Sequence, residues 1–435
     1  MDSEFWDSEV ETISRRELEK LQLVRFNRSL QRAGESAFHR GRSAGRLPRR
    51  IDSLEQVSEL PFTTKQDLRD AFPCGLLAVS LESCVRLHSS SGTTGRATVI
   101  YHTAGDIDAW TDLVARSMYM TGVRRGDVFQ NMMGYGLFTG GLGLHYGSER
   151  LGALTIPASS GNSRRQIYLM RNFGTTVLHI TPSYALHLHS LFAEEGMDPL
   201  SDLKLRAAFL GAEPYSEQTR AKIEELYGID AFNSYGLSEM NGPGVAFECR
   251  CKQGMHLWED NYYLEVVDPD TGRPLSDGLE GEVVLTTLAR EAMPIIRYRT
   301  GDIASVCPGD CPCGRTHRRI TRIKGRSDDM LIIKGVNIYP MQIEQVLMNL
   351  PEVGHNYLIE LDREEHLDIL RVKVEVGKEI FHGRIDELEG LKRRVARELK
   401  EEILITPRVV LVEPGSLPAG EGKAVRVVDR RTDNR

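Results

Sequence analysis

A basic surplus is missing from this chain. Lys and Arg number 55 against 62 Asp and Glu in 435 residues, a formal net charge of −7. Domains that hold nucleic acid by bulk electrostatics ordinarily carry the opposite balance, so that class is disfavoured. Cysteine is scarce, at 7 residues, which excludes a disulfide scaffold. Long hydrophobic runs are absent too. The longest apolar stretches, near residues 329–335 and 409–412, fall far short of the roughly 18 residues a membrane helix requires. The first eleven residues are acidic, with no basic start and no apolar core, so no secretory leader is predicted. A cytoplasmic, reducing setting is the expectation, where clustered cysteines bind metal or stay thiols. No internal repeat or low-complexity tract is visible. With 40% hydrophobic and 27% charged residues, the composition is that of a folded globular protein.

The length allows about three domains at ~150 residues each. Residues 14–32 place Leu18, Leu21, Val24 and Leu30 at helical spacing, with Ser14 as N-cap and Glu17 three residues on. Residues 76–107 read as strand, Gly-rich loop, strand. Strand and helix then alternate: 175–183, a helix through 186–195, 205–213, a helix over 216–228 closed by Gly228, and 229–236. That alternation predicts an α/β fold with a parallel sheet covered by helices. Short β segments separated by turns follow from Tyr262 to Val306. Residues 327–435 read as a small α+β module of strand, helix, β-rich stretch, helix and strand. The predicted division is 1–326, with a β-rich subregion at about 245–326, and 327–435.

Five blocks carry candidate chemistry. Ser89, Ser90, Ser91, Gly92, Thr93, Thr94 and Gly95 are all small or hydroxylic. Glycines let backbone N–H groups curl around an anion and hydroxyls add donors, so the run suits a polyphosphate; a flexible surface turn is the plainer reading. It is no Walker A loop, because the Gly-Lys-[Ser/Thr] ending is missing. The block Ser234–Glu239 ends a predicted strand, where open α/β sheets hold ligands. Glu239 there is either a magnesium carboxylate or an ordinary helix-start residue. Asp302, after Gly301, either accepts two ribose hydroxyls or sits in a β-turn. Arg315, Arg318, Arg319, Arg322, Lys324 and Arg326 precede Asp328 and Asp329 and read as a solvated face unless other blocks give them a role. Gly420–Lys423 is a glycine loop whose lysine, taken alone, reads as surface.

Order and spacing add what no block carries alone. SSGTTG, GAEP at 211–214, YGLSE, YRTGD, GRSDD and EGK follow one another along the chain, a series that resembles the adenylate-forming (acyl-CoA synthetase and luciferase-like) superfamily. GPGVAFEC, EAMPIIRYRTGD, GRSDDMLIIKGVNIYP and, before the loop, PFTTKQDLRD most closely resemble the phenylacetate–CoA ligases, across essentially the whole chain. The resemblance implies a large N-terminal domain of mixed and parallel sheets covered by helices and a small mobile α+β C-terminal domain. It implies activation of an aryl acid by ATP to an acyl-adenylate, with release of pyrophosphate, then capture by CoA with release of AMP. Phenylacetate is the expected acid, with a benzoate-type or other aryl or indole acid, or an adenylating relative that omits CoA, as alternatives. By the same resemblance Ser90, Ser91, Gly92, Thr93, Thr94 and Gly95 would hold the β- and γ-phosphates and Glu239 the Mg²⁺. Gly211, Ala212, Glu213, Asn233 and Tyr235 would frame the adenine, with Gly236 and Ser238 in the same block. Asp302 would bind the ribose, with Arg326 nearby, and Lys423 would bridge carboxylate and α-phosphate. Asp328 would be the hinge, and Lys334 with Gly335 would border a CoA channel. One departure stands out: Arg96-Ala97 replaces the family's Lys-Pro, which keeps the charge and loses the stiff turn.

Residues 134–147 hold six glycines with Tyr135, Phe138 and Tyr146 interleaved. Glycine makes room and aromatics make walls, which suits a flat aryl acid; a tightly packed turn that binds nothing is the competing reading. In relatives the stretch lines the acyl pocket, which marks Tyr135, Phe138, Gly140 and Gly141. Cys249, Cys251, His256, Cys307, Cys311, Cys313 and His317 offer seven candidates for a four-ligand zinc site. The resemblance selects Cys249, His256, Cys311 and Cys313. A zinc ribbon for nucleic acid is the competing reading, disfavoured by the charge balance. The partners expected are therefore a small aromatic carboxylic acid, ATP and CoA, with Mg²⁺ and a structural Zn²⁺, and a second copy of the chain as a candidate; no nucleic acid and no membrane are expected.

Overall fold

The computed structural model describes residues 4–41, 46–89, 97–327, 329–334, 336–364, 367–377, 380, 385–417 and 425–431. They form two compact units: Met1–Ser159 with Thr176–His179 and Phe232–Ile323, and Ser160–Thr175 with Ile180–Ala231 and Lys324–Arg435.

The first unit opens on the helix Arg15–Ala33, whose N-cap Ser14 accepts from the Glu17 N–H. Its inward stripe runs through Leu18, Gln22, Phe26, Ser29, Leu30 and Ala33, and Val24, expected on that face, is 60% exposed. The stripe advances by four residues at a time and so rotates away from Val24 toward Phe26, while Gln22 reaches the Glu259 carbonyl at 2.9 Å. Strands Cys84–Ser89 and Val99–Thr103 pair antiparallel; residues 90–96 fall between them in the sequence. Thr103 and Asp106 form a capping box that starts the helix Ala104–Met120.

The Gly-rich stretch departs from the turn that its composition suggests, because Gly140–Leu151 is a helix. A Cβ on Gly143 would lie 2.5 Å from Trp110 Cζ2, and one on Gly147 would lie 2.5 Å from Val114 Cγ1. The glycines are there so that this helix can press against Ala104–Met120.

Val128–Asn131 pairs parallel with Leu154–Ile156 and with Val177–Ile180. An antiparallel ladder runs through Asp230–Leu237, Gly242–Glu248, Met255–Leu257, Arg319–Ile320 and Val306–Cys307. A second antiparallel ladder joins Tyr262–Val267, Gly281–Thr287 and Tyr298–Ala304, the turn-separated β region expected from the sequence. It is braced by Arg297, whose Nε and Nη2 meet the two Glu265 oxygens at 3.0 and 2.8 Å.

In the second unit the fully buried strand Ala207–Leu210 accompanies the helices Ser163–Phe173, Pro182–Phe192 and Glu217–Tyr227. The last ends at Gly228 in the left-handed conformation, φ 64°. The C-terminal module contains Leu331–Ile333 paired with Val336–Ile338, the helix Pro340–Met348, and a four-stranded sheet. In that sheet Val353–Glu364 pairs antiparallel with Leu367–Val376, and Arg408–Val412 and Val427–Asp429 flank them in parallel. The helix Ile385–Ile403 covers it with Leu391, Val395, Leu399 and Ile403, a strict four-residue repeat. Within this unit Glu344 is a buried joint: its carboxylate accepts from the Ser216 N–H at 2.9 Å, the Thr219 hydroxyl at 2.6 Å and the Tyr357 hydroxyl at 2.7 Å. Mixed sheets covered by helices, with a small α+β module at the C-terminus, are the architecture the sequence predicts.

Candidate active site

Five of the expected nucleotide residues, Asn233, Tyr235, Gly236, Ser238 and Asp302, arrive on two strands and a turn of the first unit. Strand Asp230–Leu237 delivers Asn233 and Tyr235, and strand Tyr298–Ala304 delivers Asp302. The Tyr235 hydroxyl donates to Asp302 Oδ2 at 2.6 Å, so the side chain expected at the adenine and the one expected at the ribose are in direct contact. The Asn233 N–H is fixed on Glu248 Oε2 at 2.7 Å. A Cβ on Gly236 would meet the Gly242 carbonyl oxygen at 1.9 Å, so only glycine admits this close approach of strands.

Ser238–Met240 is a single 3₁₀ turn, and each of its residues is held by a different element. Ser238 Oγ lies 3.3 Å from Thr139 Oγ1, the Glu239 carbonyl accepts from Arg290 Nη1 at 2.6 Å, and the Met240 carbonyl accepts from the Tyr262 hydroxyl at 2.8 Å. Glu239 is 6% exposed.

In the second unit Gly211 is buried and Ala212 is exposed with φ +69°. Glu213 Oε1 accepts from the Ser183 N–H at 2.6 Å, which anchors it at the start of helix Pro182–Phe192. A cavity of about 640 Å³ opens beside it, lined among others by Glu213, Tyr215, Lys324, Asp329, Tyr357 and Arg426. Arg326 is half-buried in the short strand Gly325–Arg326, and Lys334 is exposed with φ +50°. Ser90, Ser91, Gly92, Thr93, Thr94, Gly95, Arg96, Asp328, Gly335 and Lys423 lie outside the described residues.

At the expected acyl pocket, Tyr135 is half-buried and Phe138 is 48% exposed. A Cβ on Gly140 would meet Phe138 Cε1 at 2.6 Å, and one on Gly141 would meet the Gly134 carbonyl oxygen at 2.7 Å. Glycine here therefore makes room for the protein's own atoms. Tyr135 belongs to a polar chain with no local signature in the sequence: Asn131 Nδ2 donates to its oxygen at 3.0 Å, His145 Nδ1 lies 3.2 Å away, and His145 Nε2 is 3.1 Å from Glu149. Burial pushes the Tyr135 phenol up to about 12, so it stays neutral. Nothing local in the sequence marked Asn131, His145 or Arg290.

The cysteines sort cleanly. Cys249, His256, Cys311 and Cys313 bring four donor atoms within 4.8 Å of one another. Cys249 Sγ is 3.6 Å from Cys311 Sγ, and Cys313 Sγ is 3.3 Å from His256 Nε2. An ion with sulfur at about 2.3 Å in a tetrahedron separates its ligands by just under ~4 Å, so the donors fit. His256 Nδ1 is 3.1 Å from the His317 carbonyl, a contact that turns Nε2 toward the sulfurs. His317 is not available as a ligand: its Nδ1 accepts from the Glu259 N–H at 2.9 Å, and its Nε2 lies 2.9 Å from the Val10 carbonyl.

The chain matches the family model for AMP-binding enzymes over residues 33–288. It is also 45% identical to the phenylacetate-coenzyme A ligase of Thermus thermophilus, an alignment that covers 98% of this chain and 99% of that one. The chain belongs to the phenylacetate-coenzyme A ligase family of AMP-binding enzymes. Residues 335–431 match the C-terminal domain model of AMP-binding enzymes, as expected of a family member. Among solved structures, 2-hydroxyisobutyryl-CoA ligase in its postadenylation state with R3-HIB-AMP superposes with a TM-score of 0.94 at 30% identity, covering 99% of this chain and 94% of that one. The same enzyme with 2-HIB-AMP and CoA in its thioesterification state superposes with a TM-score of 0.72 at 31% identity, covering 99% and 93%. No described helix of this family member is long and apolar enough to cross a membrane.

Proposed function

We propose that the protein is an ATP-dependent acid–thiol ligase that converts phenylacetate and CoA to phenylacetyl-CoA. The reading is carried by the match, at 45% identity over nearly the full length, to a phenylacetate-coenzyme A ligase. A carboxylate is a poor acyl donor because it would have to expel oxide. In the first step a carboxylate oxygen attacks the α-phosphorus of ATP, the bond to the β-phosphate oxygen breaks, and pyrophosphate leaves. In the second the CoA sulfur attacks the acyl carbon, the thiol proton is lost, and AMP departs with the electrons of the acyl–oxygen bond.

This chain's residues divide the work. Tyr235 and Asp302 form the wall for adenine and ribose, supported by their 2.6 Å contact, with Asn233, Gly236 and Ser238 on the same strand and turn. Gly211, Ala212 and Glu213 complete the adenine frame, and Arg326 assists at the ribose. Ser90–Gly95 hold the β- and γ-phosphates. Lys423 sits between carboxylate and α-phosphate, where negative charge crowds during attack and a cation lowers the barrier most. Mg²⁺, when bound, would be held by Glu239 together with phosphate oxygens, where it neutralises the leaving pyrophosphate. Cys249, His256, Cys311 and Cys313 would hold Zn²⁺; four protein ligands leave no open position, so its role would be structural.

Tyr135, Phe138, Gly140 and Gly141 flank the aryl group. The adenylation domain ends near residue 326. The C-terminal domain turns about Asp328 between the two steps, withdrawing Lys423 and presenting Lys334 and Gly335 to CoA; the separate C-terminal family model at 335–431 supports this division. The enzyme acts in the cytoplasm.

AMP release over a panel of aryl acids, with and without CoA, tests the reading. Phenylacetate with CoA is expected to give the highest kcat/KM. Faster turnover with benzoate or indole acids would replace the substrate, and sustained AMP release without CoA would replace the acceptor.

A further inference from the structure

One buried cation underlies the turn that carries Glu239. Arg290 is 3% exposed, and its Nη1 donates to the Glu239 carbonyl at 2.6 Å. Its Nε and Nη2 have no hydrogen-bond partner among the described residues. The contrast with Arg297 is plain, since that guanidinium is gripped by both oxygens of Glu265. Asp106, the acid whose charge acts most strongly on Arg290, accepts instead from the backbone N–H groups of Thr103, Glu291 and Ala292.

Two histidines extend the cluster. Both ring nitrogens of His102 and Nε2 of His88 also lack partners among the described residues. Their rings are 5.5 Å apart and Trp110 packs on both. The charge of Arg290 bears on each imidazole. His88 sits in the strand Cys84–Ser89, immediately before residues 90–96. Arg290 also borders a polar cavity of about 10 Å³, lined among others by Asp106, Asn241, Asn261, Tyr262 and Thr287, room for about one water.

A buried charge without a paired carboxylate is costly. Replacing a buried ionic group by apolar atoms is often neutral or stabilising, so packing gives no reason for an arginine at 290. The bond to Glu239 gives one.

We propose that Arg290 is a positioning residue for the divalent cation of the adenylation step: it fixes the peptide from which Glu239 projects. The inference rests on the reading of Glu239 as the cation's carboxylate. A carboxylate aimed in advance need not be ordered by the metal, and groups that orient a ligand in this way typically change metal affinity or activity by roughly tenfold to a hundredfold when removed.

The test uses full-length enzyme and Mn²⁺ with ATP. Binding is read by water-proton relaxation, and turnover by phenylacetate-dependent pyrophosphate exchange. Arg290→Met is expected to raise half-saturating Mn²⁺ by roughly tenfold or more in both readouts, with thioester formation from supplied phenylacetyl-adenylate and CoA changed less than about twofold. Arg290→Lys, which still donates to the Glu239 carbonyl, should restore most of the affinity. Arg290→Gln, which removes the charge and shortens the side chain, should shift the metal titration in the same direction; this variant and Arg290→Lys carry the test if Arg290→Met does not fold. An unshifted titration, or equal loss of both half-reactions, overturns the proposal. Glu239→Gln separates the premise. If it titrates like the parent enzyme, the magnesium assignment falls and the proposal with it; if it shifts while Arg290→Met does not, only the role of Arg290 falls.

Discussion

A single side chain is expected to divide the two half-reactions. On the proposed mechanism, Lys423 meets the α-phosphate only while the acyl-adenylate is being made. Lys423→Ala should therefore lower pyrophosphate exchange by roughly a hundredfold to a thousandfold, the scale of losing one preorganised charge-stabilising group. Thioester formation from supplied acyl-adenylate should stay within about threefold, since on the proposed mechanism the C-terminal domain has withdrawn Lys423 before CoA attacks. Equal loss in both assays would give Lys423 a different role. Glu239 and Asp302 are both buried and bonded into the fold, so their substitution also loosens the strands and turn that carry them.

At the scale of elements, two joints depend on close packing or ligation. Helix Gly140–Leu151 crosses Ala104–Met120 through Gly143 and Gly147, where an added Cβ would strike Trp110 and Val114. Gly143→Ala should cost about 1–3 kcal/mol by overpacking, read from urea unfolding. Gly126→Ala, where no atom lies within 4 Å of the added carbon, serves as the control.

The second joint is the Cys/His cluster, which ties the ladder strands near Cys249 and His256 to the loop of Cys311 and Cys313. That loop also holds the N-terminal segment: Arg315 meets Glu11 at 2.6 Å, and His317 faces the Val10 carbonyl. Elemental analysis is expected to find about one zinc per chain in protein purified without chelator. Removal by a strong chelator, or Cys311→Ser, should lower Tm and expose the loop to protease. Metal-free protein with unchanged Tm would show that packing alone holds the four donors.

For the whole molecule, acid stability follows from histidines buried neutral. His102 is depressed to about 2 and His179 to about 3, in both cases chiefly by burial. Below the ordinary histidine pKa of about 6.5 the unfolded chain takes up these protons and the folded chain does not. Folding stability is thus fully present above about pH 6.5 and is lost as pH falls, by roughly 1.4 kcal/mol per pH unit for each histidine. Urea titrations at pH 7.5, 6.0 and 5.0 should show this slope. His179→Gln, whose amide still donates to Asn131, should remove about one histidine's share. An unchanged slope would mean that His179 titrates in the folded state.

The order of six motif blocks determined the family and the two-step chemistry, and it supplies the residues proposed for each step. Periodicity determined most elements, because strands buried on both faces and four-residue helical repeats leave a direct mark in the sequence. The shared spacing of Cys249, His256, Cys311 and Cys313 was legible only as a resemblance; the fold brought their donors within 4.8 Å. Three things were decided by tertiary structure alone. Val24 turned outward because the inward stripe of its helix steps by four. The glycines at 140–147 became a helix because a neighbouring helix, absent from any local window, demanded their missing side chains. Arg290 came to rest under Glu239, 51 residues away in sequence. Contacts of that kind follow from which strands lie side by side, and local composition contains no record of it.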